Sequence, residues 1–234
     1  MRVDARARAG GRRADGGRLT GAEPELFLEA DGVEVWRLDL SRARPPSPGE
    51  LSAAEEARAS RRAVADDRRR FAASRAALRR LIAARAGTEP GSLAIVGGPN
   101  DRPVVPGGPS FSVSHSGELW LCAVASGRVL GVDAEGVREV REAADIAARW
   151  FTRAERERLA AEGAAGDPRA FLRGWVRKEA FLKALGVGFS SEEAILLDPD
   201  PEKWDVLDLD PAPGFVGALV VNRQPAPAPA AEGR

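Results

Sequence analysis

Apolar positions along the chain alternate between two periods. Around Val33 (VEVWRLDL) and Val129 (VLGVDAE) they follow the spacing of a strand. Each run leads into a polar, helix-forming stretch with the same opening. Ser52 with Glu55, and Thr152 with Glu155, fit a capping box, in which a hydroxyl and a Glu three residues later satisfy free N–H groups at a helix start. The same offset of 100 pairs Arg58 with Arg158, Phe71 with Phe171 and Ile82 with Leu182. The helical stretches end near glycine (Gly87; Gly186 and Gly188) and give way to more strand-like runs. These are SLAIVG, FSVSHS and LWLCAVAS in the first case, and EAILLD, KWDVLDLD and FVGALVV in the second. The pattern predicts an α+β protein of two similar halves, residues 25–127 and 128–223, related by a pseudo-twofold axis. In each, a long helical stretch packs on a small, mainly antiparallel sheet. Two related halves leave a cleft at their junction, where ligands tend to sit. The Arg/Gly-rich residues 1–24 and the Pro/Ala tail 224–234 read as disordered extensions, since neither buries enough apolar surface to offset ordering.

Composition narrows the chemistry. With 234 residues, 35 basic and 35 acidic side chains, the chain carries no net charge, a poor footprint for nonspecific nucleic-acid binding. One Cys rules out an internal disulfide framework, and one His with one Cys rules out a His/Cys zinc site. Any metal must be a hard cation held by carboxylates. No apolar run reaches the ~20 residues that span a bilayer, and no signal-peptide core follows Met1, so the expected location is the cytoplasm.

Four segments could carry chemistry. In GVDAEG, Asp133 and Glu135 share one face of a strand, where two carboxylates repel unless a cation or proton lies between them; a solvated strand end is the plainer reading. In FLRGWVRKEAFLKALGVG, Arg173, Arg177, Ala180 and Ala184 fall on one side of a helix. Lys178, Glu179 and Lys183 fall within the apolar arc, where charge needs compensation. Glu179 and Lys183 are also spaced as an i,i+4 surface pair. In FSVSHSG, the only His, His115, ends a strand between Ser114 and Ser116; adjacent strand residues face opposite ways, which argues against a Ser-His hydrolase pair. Last, Arg58, Arg61, Arg62, Arg68, Arg69, Arg70, Arg75, Arg79 and Arg80 form a basic side of the first helical stretch. This reads as a solvated face, with a few arginines in reach of an anionic ligand.

FSVSHS, GVDAEG, FTRAE and WVRKEAFLKALGVG, in this order and separation, resemble the 4′-phosphopantetheinyl transferase superfamily, in its Sfp-type form with two halves in one chain. The resemblance implies transfer of the phosphopantetheine arm of coenzyme A to a serine hydroxyl on an apo carrier protein, releasing 3′,5′-ADP. It implies Mg²⁺, with Mn²⁺ a possible substitute, held by Asp133, Glu135 and Glu179. Lys183 takes the place of the lysine facing the bridging phosphates, with Lys178 beside it, and Glu179 that of the proposed base. Ser114 and His115 match the contacts to the CoA 3′-phosphate side, and Arg70 matches an arginine near the adenine nucleotide. Where the family commonly has G-K-P the chain reads NDRP, so Arg102 replaces the lysine. A monomer that binds neither nucleic acid nor membrane is expected. The alternatives are a Ser-His hydrolase, which would ignore chelation, and a basic-helix binding module, which would ignore Asp133→Ala.

Overall fold

The computed structural model describes residues 12–98, 102–162, 167–187 and 197–224. Short strand β1 (Arg12–Arg13) is followed by the hairpin β2 (Glu25–Ala30) and β3 (Val33–Asp39). Helices α1 (Ala53–Ser60) and α2 (Ala65–Ala86) come next, then the two-residue pair β4 (Val96–Gly97) and β5 (Pro103–Val104), then β6 (Ser110–Ser116) and β7 (Leu119–Ala125). The second part runs β8 (Leu130–Gly136), α3 (Ala143–Trp150), α4 (Arg153–Ala161), α5 (Pro168–Leu185), β9 (Trp204–Leu209) and β10 (Phe215–Asn222).

Every strand pair is antiparallel. The larger sheet has the order β1-β2-β3-β7-β6, the smaller β8-β10-β9. Within these, β3-β7-β6 and β8-β10-β9 are the same unit: a strand, a helical excursion, then two strands of which the last returns to the middle. Both capping boxes form as the spacing predicts, Ser52 with Glu55 opening α1 and Thr152 with Glu155 opening α4.

The layers follow from where each apolar face finds cover. Leu78, Leu81 and Ile82 of α2 pack with Leu38, Trp120 and Cys122 on one face of the larger sheet. The other face, with Val35, Leu119 and Leu121, packs against Leu130, Val132, Leu209 and Leu219 of the smaller sheet. Phe171, Val176 and Phe181 of α5 cover the far side of that sheet at Val216, Ala218 and Val220. The order is α2, larger sheet, smaller sheet, α5, and the central layer belongs to both halves.

Folding begins earlier than the sequence pattern indicates. Of the extension expected to be disordered, residues 12–24 are described: Arg12 and Arg13 pair with Glu29 and Leu28, and Leu19 is buried in the core shared by the sheets. Gly16 lies so close to the Asp210 carbonyl that a Cβ there would stand 2.5 Å from its oxygen. A segment poor in apolar residues is held by one leucine, one ladder and one close approach. Residues 1–11 and 225–234, Gly188, and most of EAILLD lie outside the described residues. SLAIVG yields only Val96–Gly97 as strand. The basic side of the first helical stretch is not uniformly solvated: Arg79 is 2% exposed and, with Arg75, closes on Glu55, while Arg80 closes on Glu50.

Candidate active site

Strands β6 and β8 are edges of different sheets and run side by side where the halves meet. Helix α5 reaches this seam because β8 carries a glycine: a Cβ on Gly131 would lie 2.0 Å from the Ala180 carbonyl oxygen and 2.6 Å from the Ala184 nitrogen. Ala180 and Ala184 are therefore buried, and not on a polar side with Arg173 and Arg177, which pair with Asp208, Asp210 and Glu162. The close approach delivers Glu179 and Lys183 to the tip of β8. Val113, Ser114, His115, Asp133, Ala134, Glu135, Glu179 and Lys183 line one cavity of about 220 Å³.

The cavity holds more acid than its bases compensate. Asp133 is 3% exposed, so GVDAEG is not a solvated strand end. Its Oδ1 accepts from Ser114 Oγ at 2.6 Å and Lys183 Nζ at 2.7 Å, while Oδ2 is buried without a hydrogen-bond partner. Burial pushes the Asp133 carboxyl up and Glu135 adds to this, against the pull of Lys183 and Ser114. Glu179 is pushed up to about 7, first by burial and then by Asp133, with Lys183 opposing. Glu135 accepts from Ser116 Oγ at 2.9 Å and Arg138 at 2.8 Å. Lys183 also donates to the carbonyls of Val113 (3.4 Å) and Val132 (3.2 Å), one on each side of the seam. The i,i+4 spacing of Glu179 and Lys183 thus serves a seam, not an exposed helix face.

On the β6 side, His115 is exposed at the cavity mouth yet held toward its neutral form, first by desolvation from the surrounding protein and then by Lys183, Arg62 and Arg70, with Asp133 opposing. Arg70 meets Glu118 at 3.5 Å and Asp67 at 3.7 Å. Arg62 stacks on Phe71 at 4.5 Å. The three carboxylates of β8 and α5 therefore share the cavity with a single lysine, Lys183, while Arg70 is paired outside it with Asp67 and Glu118.

Three expected cofactor contacts find other partners. Arg102 is not among the cavity-lining residues; its guanidinium donates to the carbonyls of Leu130 (2.9 Å), Phe111 (3.2 Å) and Ala184 (3.3 Å), sewing β8, β6 and α5 together. Lys178 is 1% exposed and donates to Glu155 at 3.1 Å and to the Leu197 carbonyl at 3.0 Å. Ser114 lines the cavity, but its hydroxyl gives its proton to Asp133. Neither neighbouring serine hydroxyl serves His115, which removes the hydrolase geometry. The residues that sequence reasoning missed are Ser112, Ser116 and Arg138; the period-two serines of FSVSHS were the available signal.

Among the described residues, no three His, Cys, Asp or Glu side chains are already gathered as a metal site. The donor chemistry nonetheless fits a hard divalent cation. Asp133 presents a buried, unpartnered carboxylate oxygen, and Glu135 and Glu179 line the same cavity with further carboxylate oxygens. No helix among the described residues is long and apolar enough to cross a membrane.

A family model described as the 4′-phosphopantetheinyl transferase superfamily matches residues 129–217, from just before β8 into β10. The chain is 34% identical over 215 residues to the 4′-phosphopantetheinyl transferase HetI of Nostoc sp., covering 85% of this chain and 91% of that protein. It is also similar to a 4′-phosphopantetheinyl transferase of Bacillus subtilis (34% identity, 60% of this chain and 67% of that one). Sfp of Bacillus subtilis strain 168 matches at 33% identity over 38% of this chain and 39% of its own. With a relative this similar over nearly its whole length, and with carboxylates and lysine converging from the matched segment, the chain belongs to the 4′-phosphopantetheinyl transferase superfamily.

Proposed function

We propose that this phosphopantetheinyl transferase takes the 4′-phosphopantetheine arm from coenzyme A, places it on a serine hydroxyl of an apo acyl, peptidyl or polyketide carrier protein, and releases 3′,5′-ADP. The observation that carries this reading is the mixed lining of one cavity: Asp133, Glu135, Glu179 and Lys183 from β8 and α5 meet Ser114 and His115 of β6. A polyanion such as CoA needs both kinds of group, a cation for its phosphates and carboxylates for a shared Mg²⁺. A cavity of about 220 Å³ admits the pyrophosphate region and leaves the ends of CoA along the seam.

Asp133, Glu135 and Glu179 would hold Mg²⁺. When bound, Mg²⁺ supplies charge neutralisation on the pyrophosphate, the main requirement of phosphoryl-type transfer. Glu179, or a water held beside it, accepts the proton of the carrier serine; the water takes that part where Mg²⁺ lowers the basicity of the Glu179 carboxylate. The serine oxygen forms its bond to the phosphorus that bears the pantetheine arm. The bond from that phosphorus to the bridging oxygen breaks, and the oxygen leaves with 3′,5′-ADP. Lys183 offsets the negative charge that the leaving phosphate gains. His115 and Arg70 orient the nucleotide end. The cavity is lined from one chain, which supports a monomeric enzyme, and a cytoplasmic location suits substrates of this kind.

Incubation with CoA, Mg²⁺ and apo carriers from fatty-acid, polyketide and peptide systems tests the reading by carrier mass. Addition of one phosphopantetheine to at least one carrier, abolished by EDTA and restored by Mg²⁺, is the expected result. No addition to any of them overturns the reaction, and addition that survives EDTA overturns the metal.

A further inference from the structure

The seam between the halves is closed by side chains where a sheet would use its backbone. Ser112, Ser114 and Ser116 alternate along β6 and so share one face. Their hydroxyls accept from the backbone N–H groups of Val132 (3.1 Å), Ala134 (3.3 Å) and Gly136 (3.0 Å), alternate residues of β8. A hydroxyl has one proton to give. Ser114 gives it to Asp133 and Ser116 gives it to Glu135. Each of these two serines therefore grips a carboxylate and the N–H of the residue after it, which ties the side chain to its own backbone. Ser112 makes the N–H contact alone; among the described residues it meets no carboxylate.

The two carboxylates are not gripped equally. Asp133 is buried and has Lys183 as a second partner. Glu135 is longer and half-buried, and its other partner, Arg138, is well exposed, with 57% of its side chain accessible. Both Ser116 and Arg138 take Oε2, which leaves Oε1 for a ligand. Without Ser116, an exposed arginine alone would orient the more flexible of the two acids.

We propose that Ser116 is a positioning residue that holds Glu135 aimed into the cavity, so that the serine ladder of β6 in one half sets the ligand geometry of β8 in the other. This rests on the metal reading of the proposed function. Groups that orient metal ligands from behind are commonly worth ten- to a hundredfold in metal affinity.

The test is Mn²⁺ titration by calorimetry in the absence of CoA, with a melting temperature for each protein. Ser116→Ala is expected to weaken Mn²⁺ binding about tenfold, and Ser116→Thr, which keeps the hydroxyl, to stay within about twofold of wild type. Ser112→Ala loses its ladder contact and is expected to melt lower with Mn²⁺ affinity unchanged. In a Glu135→Gln background, Ser116→Ala is expected to cost no further affinity, because the two act through one ligand; should Ser116→Ala not fold, Ser116→Cys, which keeps the side chain's shape but weakens the hydrogen bond, is expected to lose Mn²⁺ affinity, and wild-type affinity there overturns the assignment. Wild-type affinity in folded Ser116→Ala, or equal losses in Ser112→Ala and Ser116→Ala, overturns the assignment while leaving the metal in place. A wild-type protein that binds no Mn²⁺ overturns the metal reading and the assignment with it.

Discussion

The two halves bury a glutamate at the same place in their capping boxes, Glu55 and Glu155, and neutralise it from the long helix that follows. In the first half the neutralising groups are Arg75 and Arg79 of α2; in the second it is Lys178 of α5. Burial raises both carboxyls. For Glu55 the Ser52 N–H and the two guanidinium groups outweigh burial and hold it below its ordinary value. For Glu155, burial prevails over Thr152 and the single ammonium, with Asp198 adding to the rise. Moving the fastening cation one position along the helix has a consequence. Position 79 is the arginine that locks the box, while its counterpart 179 is an acid free to face the seam. The same architecture yields a closed ion cluster in one half and an undercompensated site in the other. A buried charge whose partners saturate it serves the fold, and one whose partners do not can serve chemistry.

The comparison can be broken most severely at Glu55. Removing it in Glu55→Ala leaves Arg79 buried without its acid and is expected to cost about 3–5 kcal/mol in urea denaturation. Turnover per folded molecule should stay within about twofold, and a far larger loss would place this cluster in the active site. At the counterpart of Arg79, Glu179→Gln is expected to do the opposite. It should lower kcat/KM about a hundredfold, ~2.7 kcal/mol of barrier, without lowering the melting temperature, since it relieves repulsion with Asp133.

A smaller effect is expected from Lys178→Met. Glu155 can take a proton once the ammonium is gone, so the cost should be about 1–3 kcal/mol, with KM for CoA unchanged. A raised KM would return Lys178 to the cofactor site. The smallest effect is in pH dependence. The carboxyl of folded Glu55 is held below its ordinary 4.5, so its stabilisation is complete above that pH and fades as the pH falls through the folded value. Stability measured downward from pH 5 should therefore drop less steeply in Glu55→Gln than in wild type, and equal slopes would remove Glu55 from the account.

Much of this was legible in the chain. The two capping boxes, strands β3, β6, β7, β8, β9 and β10, and the identity of Asp133, Glu135, Glu179 and Lys183 as unusual charges all show in local spacing, because helix caps and strand faces are fixed by residues two to four apart. Strand β2, the buried Leu19 and the ladder of residues 12–13 were not legible, since the polar segment around Leu19 is ordered only by the sheet it meets. Tertiary structure alone decided that Arg102 stitches three carbonyls, that Lys178 reaches the capping-box Glu155, and that Ser114 and Ser116 turn to carboxylates. Long or hydroxylated side chains can satisfy their hydrogen bonds in many ways. Which way they choose depends on the groups that packing brings alongside, and here those groups lie 9 to 82 residues distant.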